Sequence, residues 1–122
     1  MKVLLSIKPE FAEKIFNGTK KFEFRRSIFK NSSVKTVVVY ASSPMQKVIG
    51  EFEIDFIIHD QINNLWQQTH EYAGIKKDYF FNYFSNKQKG YAICIKKPKI
   101  YPTPLALKEN YNMPPPQSFT YI

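Results

Sequence analysis

Seven residues, Lys20-Lys21-Phe22-Glu23-Phe24-Arg25-Arg26, carry the densest reactive chemistry in this sequence. Four cations surround one carboxylate, and charged and aromatic residues alternate. A lysine and an arginine offer N–H donors to a phosphate or to the carbonyl of a base, and the guanidinium does so with a planar fork. Glu23 can orient either cation, or accept from the exocyclic amine of a base. The competing explanation is an ordinary surface row of ion pairs on a strand, which contributes little to stability.

Other candidates lie further along. Tyr40, Ser42 and Ser43 end an apolar run and can turn hydroxyls toward a ligand, although turn formation also accounts for the serines. Trp66 can stack on a base, or simply anchor an amphipathic helix in the core. Gln117 and Ser118 follow three consecutive prolines near the C-terminus. That tail is either a polyproline ligand for a partner or a latch that packs on the body through Phe119, Tyr121 and Ile122 and borders the site. A second basic run, Lys87, Lys89, Lys96, Lys97 and Lys99, contains no acid and interleaves Tyr91, with Tyr101 just beyond. Lysines beside exposed rings contact phosphates while the rings stack on bases; a solvated face with inward tyrosines is the alternative.

Metal and disulfide chemistry are not expected. His59 and His70 are far apart, with no second pair at ligand spacing, and the single Cys94 sits in the apolar run Tyr91–Ile95. His70-Glu71 can form an acid–base pair, but a surface histidine accounts for it as well. No cofactor is expected.

The 122 residues suit one domain, 1–122, with one core, and 43% hydrophobic and 16% aromatic residues are enough to fill it. Lysine and arginine number 18 against 10 acids, a formal charge of +8, which favours a polyanion as partner, although solubility alone also explains net charge. The N-terminal apolar stretch is interrupted at once by Lys8 and Pro9, and no window approaches a membrane span, so a cytoplasmic protein with no membrane partner is expected. A monomer is favoured.

These residues need elements to hold them. Val3–Ile7 predicts a strand, and Pro9 opens a helix with Phe11, Ala12, Ile15 and Phe16 on one face. Asn17-Gly18 ends that helix, with Gly18 left-handed. Lys20–Arg26 then reads as a half-buried strand, with Lys21, Glu23 and Arg25 on one side. Thr36–Ala41 is a β-branched strand buried on both faces, and Val48–Ile58 is the longest strand, directing Phe52, Ile54 and Phe56 inward. Residues 63–84 form two helical pieces broken at Gly74. Leu65 and Trp66 anchor the first, and Tyr79, Phe80, Tyr83 and Phe84 the second. Gly90–Ile95 is a further strand. Strands interrupted by helices of unequal length predict an α+β domain with a mixed, curved sheet.

The stretch from Leu4 to Arg26 resembles the ASCH family, whose hallmark is a helix followed by G-x-K-x-x-E-x-R, here Gly18, Lys20, Glu23 and Arg25. Val39–Pro44, Val48–Phe52 and Pro115–Phe119 are similar to one bacterial and phage branch of that family, often described as predicted transcriptional regulators. The resemblance covers nearly the whole chain. It implies a PUA-like mixed β-barrel flanked by short helices, with the charged motif at the mouth of a cleft. It also implies a partner: relatives in the superfamily bind RNA or modified bases. A few small members are enzymes, an amidohydrolase acting on acetylated cytidine and a ribonuclease. The amidohydrolases carry a hydroxyl residue three positions after the lysine. Here that position is Glu23, so their nucleophile or proton relay is missing.

The expectation is therefore a nucleic-acid-binding domain, for RNA above all, using Lys20, Lys21, Glu23, Arg25, Arg26, Tyr40, Ser42, Ser43, Trp66, Gln117 and Ser118, with a role in transcription or RNA-related regulation. The alternative is a small metal-free hydrolase of RNA or a modified nucleoside, with Lys20, Glu23 and Tyr40 as its catalytic groups, assisted by Arg25.

Overall fold

A computed structural model describes residues 1–122. The elements run β1 (Lys2–Ile7), α1 (Pro9–Phe16), β2 (Phe22–Arg25), β3 (Thr36–Ala41), β4 (Lys47–Gln61), α2 (Ile62–Thr69), a single 3-10 turn (His70–Tyr72), α3 (Lys77–Tyr83), β5 (Lys89–Leu105), α4 (Leu107–Tyr111) and β6 (Phe119–Tyr121). All six strands join one mixed sheet in the order β2-β5-β4-β3-β1-β6. Only β1 and β3 pair in parallel; the remaining pairs are antiparallel. The sheet curls into an open half-barrel, as one interaction makes plain. Arg25 on the edge strand β2 donates to the backbone carbonyl of Ser6 on β1 and to Ser118 beside the opposite edge strand β6. The architecture is α+β.

Each local choice has a physical cause. Pro9 occupies the first turn of α1, where its missing N–H costs nothing, and Gly18 follows the helix at φ +86°. Strand β3 is buried on both faces because it separates two apolar groups. Val37 and Val39 face the inside of the half-barrel with Leu5, Ile15 and Phe52, while Val38 and Tyr40 face outward under Leu107. A third group, Phe24, Leu65, Phe80 and Phe84, packs the helical layer against the sheet.

Two expectations need correcting. Phe56 is 50% exposed rather than inward, because the β4–β5 register slips between Ile54 and Ile57 and reverses the alternation there. The longest strand is β5, at 17 residues, not β4, at 15. Its length is hidden in the sequence by Pro98, Pro102 and Pro104, which the strand tolerates alongside further register shifts and a left-handed Lys97 at φ +51°. The five-residue α4 is too short to announce itself by periodicity.

The proline-rich tail is a latch. Ser6 Oγ donates to the carbonyl of Pro116 at 2.6 Å, and the backbone N–H of Ser6 donates to the carbonyl of Ser118 at 3.1 Å. The hydroxyl of Tyr121 accepts from the backbone N–H groups of Lys30 and Asn31. No helix is long and apolar enough to cross a membrane.

Candidate functional site

A cavity of about 310 Å³ opens where β1, β2, α1, α3 and the tail meet. Lys20, a lysine only 2% exposed, lines it. The helix break positions this side chain. Gly74, at φ +70°, leaves room for the lysine stem, since a Cβ there would fall 2.5 Å from Lys20 Cβ. The preceding carbonyl, of Ala73, accepts a hydrogen bond from Lys20 Nζ at 2.7 Å. The ammonium also lies over Phe24, at 4.9 Å, and Phe11, at 5.4 Å. Burial pushes its pKa down to about 8, the nearby Glu23 charge opposing the shift and Lys14 adding to it. No carboxylate pairs with it directly.

Glu23 is 6% exposed and shares the cavity wall with Lys20. One carboxylate oxygen accepts from Arg25 Nη1 at 3.1 Å. Arg25 has little freedom beyond that: Nη1 also donates to the Ser6 carbonyl at 3.3 Å, and Nη2 donates to Ser118 Oγ at 2.8 Å. It clasps the tail and holds Glu23 in place. The free cations stand at the rim. The Arg26 guanidinium stacks over Tyr83 at 4.8 Å, and Lys8 Nζ lies 5.2 Å from the centre of the Tyr79 ring. The neighbouring Tyr79 raises the Lys8 pKa, while burial raises that of Tyr83. Phe11 meets Tyr79 edge to face at 5.2 Å, completing an aromatic wall.

The ASCH domain model matches residues 5–102, most of the chain and all of the Gly18–Arg25 motif. The chain belongs to the ASCH family. An ASCH domain-containing ribonuclease of Zymomonas mobilis is 33% identical over 122 residues, a match spanning 98% of this chain and 82% of that protein. A large ribosomal subunit protein uL22 of Ureaplasma parvum is 30% identical over 121 residues, but the match spans only 39% of its length. The crystal structure of the Zymomonas mobilis ASCH protein superimposes with a TM-score of 0.91 at 30% identity, covering 99% of this chain and 87% of that one.

Of the residues that the sequence nominates, the ASCH fold brings Lys20, Glu23, Arg25, Arg26, Gln117 and Ser118 to this cavity. It places the other five elsewhere. Lys21 lies outside the lining, its N–H tied to the Tyr72 carbonyl at 2.8 Å and its ammonium 4.4 Å from the Tyr72 ring. Tyr40 is 3% exposed, packed with Leu4, Val38 and Leu107, and borders a separate shallow hollow beside α4. Ser42 and Ser43 form the turn after β3, the Ser42 carbonyl accepting from the N–H of Met45. Trp66 packs against Phe80 at 4.8 Å as a structural anchor. Sequence reasoning missed Lys8, Phe11, Tyr79 and Tyr83. Tyr79 and Tyr83 stand four apart on α3, the one available signal, and that spacing reads equally as a core stripe. No cluster of three or more His, Cys, Asp or Glu side chains occurs.

Proposed function

We propose that this ASCH domain binds single-stranded RNA and seats one base in the cavity. The observation that carries the proposal is a buried amine, Lys20, and a buried carboxylate, Glu23, lining one cavity that also has an aromatic wall and a cationic rim. A base edge presents both carbonyl or ring-nitrogen acceptors and N–H donors, and an amine beside a carboxylate can meet both. Tyr79, Tyr83 and Phe11 offer rings for stacking. Arg26 and Lys8 are placed to meet the flanking phosphates, and the charge of +8 draws the polyanion in. The name of the Zymomonas mobilis relative, a ribonuclease, supports RNA as the partner class. On this reading the protein acts as a cytoplasmic monomer in RNA-related or transcriptional regulation.

The second reading, RNA hydrolysis, rests on the same relative and on the Lys20 amine. With a pKa of about 8, roughly a tenth of that amine is neutral at pH 7 and able to take a proton from a ribose hydroxyl. One preparation tests both readings. Fluorescence anisotropy with labelled single-stranded RNA should show binding that falls steeply with salt and weakens by about tenfold or more in Lys20→Ala and Arg26→Glu. Binding indifferent to salt and to both substitutions contradicts the proposal. Gel analysis of the same mixtures for Lys20-dependent cleavage products decides the second reading.

A further inference from the structure

We infer that the sheet surface at His59 and Tyr91 is a stacking platform for a further nucleotide of the same RNA strand, outside the cavity. The inference rests on the cavity being an RNA site and extends the strand's track away from it. Register supplies the geometry. Arg25 on β2 is opposite Tyr91 on β5, and Tyr91 is opposite His59 on β4. Residues directly opposite share a face, so the three form one cross-strand row. With strands about 4.8 Å apart, the row leads from the cavity residue Arg25 to His59 over about 10 Å.

The two rings are parallel, 8° between planes and 4.1 Å between centres. Neither belongs to any of the three apolar core groups, and His59 is exposed. The Tyr91 hydroxyl bonds nothing within the protein, so neither packing nor a hydrogen bond explains why a flat aromatic pair stands here. Sequence-tolerant recognition of single strands uses such faces, because every base has a π-surface. The next pair on the same face is Lys89 opposite Gln61, which sets a cation beside the rings for a phosphate. The acid next to His59 in sequence, Asp60, is opposite Gly90 and so lies on the other face, and Glu23, on the same face, is paired with Arg25. The Asp60 carboxylate is occupied by the N–H of Gln61 and the side-chain amides of Asn64 and Gln68. Continuity with Arg25 and the local positive charge select a nucleic-acid strand as the occupant over a protein.

The test compares a dinucleotide with a nonanucleotide of single-stranded RNA, each labelled and titrated by anisotropy. His59→Ala combined with Tyr91→Leu should weaken the nonanucleotide by roughly tenfold and leave the dinucleotide unchanged. The slope of log Kd against log salt should not move, because no cation is removed. His59→Ala alone, at an exposed side chain, should weaken the nonanucleotide in the same direction and guards against a folding defect in the pair. Nonanucleotide binding at the wild-type level in both variants overturns the platform, and so does equal weakening of both RNAs. Arg26→Glu serves as the reference, since it should weaken both lengths. If the wild type binds neither RNA, the cavity reading itself falls and the platform falls with it.

Discussion

Residues 20–26 carry four cations and one acid; residues 87–99 carry five cations and none. The second stretch carries the larger net charge, yet the fold leaves all five of its lysines exposed, whereas in the first it exposes only Lys21 and Arg26. In the first, Lys20 is buried, the Arg25 and Glu23 side chains are 12% and 8% exposed, and their polar atoms are bonded within the protein. In the second, Lys97 is 74% exposed and reaches its only partner, Glu53, at 4.0 Å. Charge in water is screened within about 8 Å at physiological salt and holds no fixed geometry, whereas a desolvated charge acts strongly and only on what sits beside it. The buried charges of the first stretch can discriminate between ligands; the solvated lysines of the second can only attract them.

The largest expected effect tests whether the first stretch is a network at all. Arg25→Ala leaves Glu23 buried without its partner and unties Ser118, so it should destabilise the protein by about 3 kcal/mol in urea unfolding. Lys97→Ala should stay within about 0.5 kcal/mol of wild type. Equal midpoints for the two variants would erase the contrast.

Next in size is a gain. Lys20→Met replaces a buried charge with an apolar chain of similar length. Well below pH 8 the lysine is protonated in both folded and unfolded states, so the full cost of burying the charge is present. Between the folded value, about 8, and the ordinary value, 10.5, the folded state sheds its proton first, and wild-type stability climbs with pH relative to the variant. The variant should therefore be more stable by at most about 3 kcal/mol at pH 7, less whatever leaving the Ala73 carbonyl unbonded costs. Thermal melts at pH 7 and pH 10 should show that advantage shrinking. A constant difference would mean that the amine is not the strained group, and RNA binding retained by the variant would remove it from the site.

Much of this contrast is legible without coordinates. Alternation and β-branching locate β1 and β3, Pro9 and Gly18 bracket α1, and Gly74 divides the helical segment. The Lys20–Glu23–Arg25 pattern points to one wall of the cavity. The opposite wall is not legible, because periodicity shows that Tyr79 and Tyr83 share a helix face but not what that face meets. Tyr40 illustrates the converse. Its place at the end of a strand suggests an opening to solvent, but the outer face of β3 is covered by Leu107 on the unforeseen α4. Tertiary partners far along the chain decide burial, and local sequence does not contain them.

The smallest effect sharpens the contrast from the other side. Replacing Lys96, Lys97 and Lys99 together with alanine removes three charges that the fold leaves in solvent. If they act by attraction alone, RNA affinity at physiological salt should drop only a few-fold, by the same factor for different sequences. The salt slope should flatten by about 0.7 for every phosphate that no longer meets a lysine. Glu23→Gln should do the reverse. It keeps the shape of the cavity wall and every cation, so the salt slope should barely move, while the preference between bases with different donor patterns should change. A triple variant that altered base preference, or a Glu23→Gln protein that altered only the slope, would mean that burial does not separate recognition from attraction in this domain.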